Sequence, residues 1–461
     1  MQAVAQPPPD QDAKAAGPCL PATVRKWLTV GAVIALCTIP FIRSYEIRER
    51  PLGEDEIYWV GQAYYFHLAF AQWNWRHPDW QLLPARENPV LGKYVIGLGL
   101  RLNGLSVTSP DWLGVFYIIA KDRPNAWGDV HDRAERQAVL NRMAPATREL
   151  AWVQGLFEHP VEYATTARAI MLLFGALAIV LVFVLTALYT KPLTAFLAAV
   201  AFALHPAVVS GYTEVGADIL AIAFSLLAVV HFAWVERCVW RRNARPGLAR
   251  ALVCAGGAFS VAFAVGSKMN AVAVGFLGAL LCLVFVARYL RHRMPEAKDS
   301  AVTMVCLLIL SLALFVGSNP GNYPNPVKGV WSVYAAQQRS LEVQKGIPAK
   351  RHPLRSASER IRAMAGLTAL HPAAFALIFG ALVFQVLAAH RAGQPLPLIA
   401  LWWLVAFVAV TAWLPFARPR YALPVIAPSV ILVAGACDRL FGWLRQRKSA
   451  AMANNPTPAL S

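Results

Sequence analysis

Apolar residues in this chain run in long unbroken blocks rather than alternating with polar ones. A helix crossing a bilayer needs about 20 mostly apolar residues. Trp27–Ile42, Ala167–Tyr189, Leu193–Gly211 and Gly216–Val235 each predict one span. So do Ala301–Gly317, Gly366–Ala389, Leu396–Leu414 and Tyr421–Leu440. Ala251–Leu290 is twice as long and is interrupted by Ser267-Lys268-Met269-Asn270, which predicts two spans joined by a hairpin. The pattern therefore predicts about ten spans with both ends on one side. No small-residue cleavage site follows the first block, so it reads as a retained anchor.

Composition narrows the class. The chain has 461 residues, of which 57% are hydrophobic and only 15% charged. A soluble domain carries about 25% charged residues, so a soluble enzyme, a disordered chain and a fibrous one are all excluded. The net charge of +18 would suggest nucleic-acid binding in a soluble protein. Here Arg237, Arg241, Arg242, Arg245 and Arg250 border apolar blocks, as do Arg288, Arg291 and Arg293. That is the positive-inside signature of membrane topology, and no nucleic-acid partner is expected. The seven cysteines form no CxxC pair, so neither a disulfide framework nor a zinc site is suggested.

The topology leaves two long outer segments, 43–166 and 318–365, within a membrane domain at 25–448. The remaining stretches, 1–24 and 449–461, read as disordered tails. Function is expected in the outer loops, because chemistry tends to sit on loops held by a rigid scaffold. The first loop opens on Gly53-Glu54-Asp55-Glu56-Ile57-Tyr58-Trp59. Trp59, Ala63, Phe66 and Phe70 recur with helical spacing, which predicts a helix lying along the membrane surface. Asp55 and Glu56 then sit at its start. They either offset the helix dipole or place a general base beside an acceptor. The run Glu87-Asn88-Pro89-Val90-Leu91-Gly92-Lys93-Tyr94-Val95-Ile96 is too short for a span and predicts a surface-lying or re-entrant helix. Its Lys93 either snorkels or meets an anion.

"DEIYWVGQAYYF" followed by "NPVLGKYVIGLGL" resembles the first outer loop of the GT-C superfamily of integral membrane glycosyltransferases. The branch it resembles holds protein O-mannosyltransferases and aminoarabinose transferases. Arg168, Lys268 and "RPRYALPVIAP" fall in order along the same layout. One departure is Asn88-Pro89-Val90-Leu91, where the family has a His-Pro-Pro-Leu run. The resemblance implies an all-α bundle of about 10–13 spans with surface-lying helices in the first loop. It also implies a polyprenyl-phosphate-linked sugar as donor, inversion, and an acceptor that is a glycolipid, a polysaccharide or a protein. On that resemblance Asp55 is the base and Glu56 its neighbour. A phosphate leaving group needs cations more than an acid. The candidates are Lys93, Arg168, Lys268, Arg418 and Arg420, with Tyr421 beside them.

Glu214 and Asp218 are four residues apart, which on a helix would put them on one face; they either shape an acceptor cavity or help to hold a metal, or are simply acids that offset the dipole at a helix start. Tyr58 and Tyr323 are further cavity candidates. His205-Pro206 and His371-Pro372 read as kinks or packing residues. Some relatives carry a divalent metal, but no HExxH or paired ligand spacing is present. Ser318–Pro326 is dense in Pro, Gly and Asn and reads as a lid or an exit loop. The composition suggests a bacterial inner membrane with the site facing the periplasm. Rival readings are a transporter or flippase of lipid-linked sugars and a surface-polysaccharide polymerase or ligase. No internal repeat supports a transporter.

Overall fold

The computed structural model describes residues 22–45, 54–110, 160–240, 247–323, 325–345, 354–391, 397–414 and 416–454, together with 141, 145–149 and 153. Regular structure among them is entirely helical. The helices of eight or more residues begin with α1 (Ala22–Ser44), α2 (Glu54–Gly61), α3 (Leu91–Leu102), α4 (Pro160–Ala187) and α5 (Pro192–Leu204). They continue as α6 (Pro206–Thr213), α7 (Asp218–Trp240), α8 (Gly247–Ser267), α9 (Val272–His292) and α10 (Pro295–Ser318). The last five are α11 (Pro326–Lys345), α12 (Ala357–Ala369), α13 (Pro372–Arg391), α14 (Leu398–Trp413) and α15 (Leu423–Asn454).

This is an all-α polytopic membrane protein. Seven helices are long and apolar enough to cross a bilayer, or eight if the bent pair α5–α6 is one span. Leu28–Ser44 and Leu398–Ala412 are apolar but shorter. The expected ten spans are reached only by counting those two, and the larger counts are not reached among the described residues. At the core, α4 packs on α5 and α7, α7 on α8, and α10 on both α8 and α9. Both ends of the chain are more helical than expected: α1 begins at Ala22 and α15 runs to Asn454, inside the segments read as tails. The rest of those tails lies outside the described residues.

Prolines set the breaks. The residue before a proline is pushed out of the helical region, and His205 is extended at φ −64°, ψ 129°. The expected straight span Leu193–Gly211 is therefore two helices at 66°. The His205 ring caps the second by accepting a hydrogen bond from the Ala207 amide at 3.2 Å. Its Nε2 lies 3.2 Å from the Thr368 carbonyl, tying the break to α12. The block at 366–389 divides likewise, between α12 and α13, with Leu370 at φ 60°.

The two loop segments expected along the membrane surface are helical, but they are packed into the bundle. In α2, Ile57, Trp59 and Val60 are buried; in α3, Leu91, Ile96 and Leu100 are. α3 packs on α2, α4 and α8. The one-sided stripe fails because Tyr64 and Tyr65, on the other sides of the turn, are also buried. The Asn319–Tyr323 connection is likewise interior. Asn319 and Asn322 are buried, and Tyr94 donates to the Ser318 carbonyl at 3.3 Å.

Candidate functional site

The first turn of α2 sends two successive carboxylates in different directions. Neighbouring helical residues point about 100° apart. Glu56 turns inward to α4. Arg168 donates to it twice, Nε to Oε1 at 2.9 Å and Nη2 to Oε2 at 2.7 Å. The Val215 amide donates to the same Oε1 at 2.9 Å. Both side chains are only 7% exposed. This is a two-pronged buried pair, the strongest geometry such a pair can adopt.

Asp55 turns the other way, toward the short 3₁₀ turn Pro419–Ala422 at the start of α15. Arg420 Nη2 lies 2.9 Å from its Oδ2, and Arg418 Nη1 lies 3.4 Å from the same atom. The Asp55 side chain is 53% exposed, against 22% for Arg420 and 23% for Arg418. Partial burial works to raise the Asp55 pKa, but the Arg420 and Arg418 guanidiniums, with help from Lys268, hold it below its ordinary value.

A third pair adjoins. Lys268 stands in extended backbone between α8 and the 3₁₀ turn that opens α9, and its ammonium donates to Asp218 Oδ1. The ammonium also lies 5.5 Å from the centre of the Tyr421 ring, with Arg420 6.0 Å from the same ring. Asp218, Ser225, Asn270 and Arg420 together line a cavity of about 10 Å³, close to the room one water requires. The Nε–H of Arg420 is buried without a partner among the described residues. Among the described residues, three cations thus meet two carboxylates, leaving one positive charge and one unspent donor. Sequence reasoning missed Ser225 and Asn270. Ser225 lies seven residues after Asp218, two helical turns along the same face, which is the signal that could have found it.

The remaining expected residues are elsewhere. Lys93 is fully buried, and its ammonium donates to the Asn88 carbonyl at 2.6 Å and to that of Pro84. It also lies 5.0 Å from the Tyr65 ring centre. Being fully buried, it does not snorkel. Arg168, expected with the phosphate-facing cations, is held by Glu56 instead. Glu214 and Asp218 share no helix face, because Glu214 is extended at φ −107°, ψ 144° and α7 begins only at Asp218. Tyr323 is occupied at the end of α10, donating to the Gly317 carbonyl at 2.5 Å. Tyr58 is half-buried beside the core. No group of three or more His, Cys, Asp or Glu is arranged to hold a metal among the described residues.

With this geometry established, the chain was compared with known proteins. Residues 141–320, which carry Arg168, Asp218 and Lys268, match the family described as dolichyl-phosphate-mannose-protein mannosyltransferase. A comparison with curated proteins finds no match in sequence. Among solved structures, the fold is similar to archaeal oligosaccharyltransferase AglB from Archaeoglobus fulgidus in complex with an inhibitory peptide and a dolichol-phosphate. That match has a TM-score of 0.55 at 12% identity and covers 95% of this chain and 53% of the other. A second structure of the Archaeoglobus fulgidus oligosaccharyltransferase, tethered to an acceptor peptide, matches with a TM-score of 0.50 at 11% identity, covering 96% and 53%. ArnT from Cupriavidus metallidurans bound to undecaprenyl phosphate has a TM-score of 0.48 at 17% identity, covering 94% and 64%. The chain spans about half the length of the archaeal proteins it matches. The fold is thus similar to that of the archaeal oligosaccharyltransferase.

Proposed function

We propose that this chain is an integral membrane glycosyltransferase. It takes a sugar from a polyprenyl-phosphate donor and passes it to an acceptor at the outer face of the membrane, in bacteria the periplasmic face of the inner membrane. The observation that carries this reading is the accessible Asp55 carboxylate beside a cation cluster with charge to spare. The fold supports it, since the archaeal oligosaccharyltransferase of similar architecture was solved with a dolichol-phosphate.

The chemistry follows from the charges. The donor phosphate meets Arg418, Arg420 and Lys268, and the unpartnered Nε–H of Arg420 supplies one more donor. These groups stabilise the leaving polyprenyl phosphate as its bond to the sugar breaks. The acceptor oxygen or nitrogen attacks the anomeric carbon from the opposite side and gives its proton to Asp55. A single displacement of this kind inverts the anomeric centre, by analogy with inverting hydrolases.

A carboxylate tied to two arginines is a weak base, because a base works best with a pKa near the operating pH. An arriving phosphate competes for the same guanidiniums. It loosens them from Asp55 and raises the basicity of the carboxylate only when the donor is in place. Glu56 then acts as a positioning residue, anchoring the first turn of α2 through Arg168.

The test uses the full chain in proteoliposomes with a labelled polyprenyl-phosphate sugar. Asp55→Asn is expected to lower transfer by about 10²–10⁴-fold, the range for losing a general base, with thermal unfolding unchanged. Transfer at the wild-type rate in that variant would remove the proposed base.

A further inference from the structure

Arg420 stands beside two carboxylates. Asp55 holds its Nη2 at 2.9 Å from the open side. An arriving phosphate competes for that contact, so the guanidinium needs a second hold that the donor does not disturb. On its other side lies the cavity of about 10 Å³ that Arg420 shares with Asp218, Ser225 and Asn270. Its walls come from α7, from the 3₁₀ turn Met269–Ala271 and from Leu423 and Pro424 in the first turn of α15.

The polar groups around this space are unspent. Asp218 gives Oδ1 to Lys268, and its Oδ2 accepts nothing among the described residues. The buried Nε–H of Arg420 has no partner there either. A serine inside a helix can donate to the carbonyl four residues back, and Ser260, Ser311 and Ser429 do so at 2.7 Å. Ser225 does not. Neither its hydroxyl nor the Asn270 carboxamide has a partner among the described residues. Four unspent polar groups thus border room for one water, which takes about 2–4 such partners when buried. A phosphate is too large to enter.

We propose that this cavity holds a fixed water, and that Ser225 and Asn270 are positioning residues that keep Arg420 set for the donor phosphate through it. This rests on the transferase reading given above. The water accepts from Arg420 Nε–H and donates to Asp218 Oδ2, while Ser225 and Asn270 fix its place. Its second O–H carries the spare donor of Arg420 on to a bound phosphate, and a water-mediated bond of this kind is nearly as favourable as a direct one. When the phosphate draws Nη2 away from Asp55, the guanidinium turns about its tethered Nε rather than swinging free.

The test has two arms, both on the full chain. The first is a density map in lipid nanodiscs at a resolution that shows ordered water. A water within hydrogen-bond reach of Arg420 Nε and Asp218 Oδ2 is expected, and Ser225→Val, whose methyls take its room, should lose it. A wild-type map without that water overturns the proposal. The second arm is transfer kinetics in proteoliposomes with a labelled polyprenyl-phosphate sugar. Ser225→Val should raise KM for the donor about threefold, the order of one lost hydrogen bond, with kcat held. Asn270→Ala, at a half-buried position, should do the same from the other wall, and serves if Ser225→Val fails to fold. In an Arg420→Ala background neither change should move KM further. Additive effects, or a fall in kcat with KM unchanged, would overturn the positioning role. If Arg420→Ala by itself leaves KM unchanged, the donor reading fails and the positioning role with it, while the density map decides the water on its own.

Discussion

Asp55 and Glu56 are neighbours in sequence with the same charge, yet the fold uses them in opposite ways. Glu56 is 5% exposed and accepts three hydrogen bonds from a guanidinium and a backbone amide. Asp55 is half open to solvent, with two arginines on a single oxygen at 2.9 and 3.4 Å. A sealed pair cannot exchange partners without exposing a bare charge to the interior. A loose one can release its arginines to an incoming anion. The difference separates a residue that holds α2 in place from one that is free to react.

The comparison can be broken most directly by removing one partner of each pair. Arg168→Leu strands a buried carboxylate and is expected to lower stability by about 3–5 kcal/mol, read by thermal unfolding in detergent micelles. Asp55→Asn should leave the melting curve in place, since exposed pairs contribute about 0–1 kcal/mol. Equal losses would erase the distinction. Next in size, the double variant Glu56→Leu with Arg168→Leu should recover most of that stability, because replacing both partners of a buried pair is often close to neutral. It should still transfer slowly, with KM for the donor unchanged, since α2 loses its anchor rather than the site its cations.

A smaller effect separates the two arginines. Arg420→Ala should raise KM for the donor about tenfold, corresponding to 1.4 kcal/mol, and Arg418→Ala by less, in keeping with its longer contact. The smallest effect concerns pH. The folded Asp55 carboxyl sits below its ordinary value of 3.8. Its charged form, and any stability it confers, is therefore fully present above the unfolded value. It is lost only as pH falls through the depressed folded value. The acid limb of kcat/KM, which reports the free enzyme, should not show Asp55 above about pH 4. The acid limb of kcat should lie at higher pH, because bound donor draws the arginines away. Coincident limbs would argue against that exchange.

Much of the architecture was legible because lipid demands long apolar blocks, and these mark α4–α10 and α13–α15, whereas the polar α11 and most of α12 fell in a segment read as a loop. Arg418 and Arg420 stood out as cations in a short break between two apolar blocks, and both meet Asp55. Pairings were not. Glu56 and Arg168 are 112 positions apart, and nothing local says which cation a carboxylate will meet. The Glu214–Asp218 spacing misled because Gly216 lies in a turn, so helical periodicity does not apply there. Lys93 misled for another reason. Two of its partners are the carbonyls of Pro84 and Asn88, groups that every residue carries and no sequence pattern displays.

That lysine bears on how the protein is made. An ammonium enclosed by the carbonyls of Pro84 and Asn88 has no comfortable place in hydrocarbon, where a lysine at mid-helix costs about 2.5–3.5 kcal/mol on insertion. The translocon therefore has reason to pass α3 across rather than release it sideways. α3 can be enclosed only once the preceding turn and the later helices α4 and α8 have been made. The nascent chain would complete its spanning framework first and draw this charged helix in last.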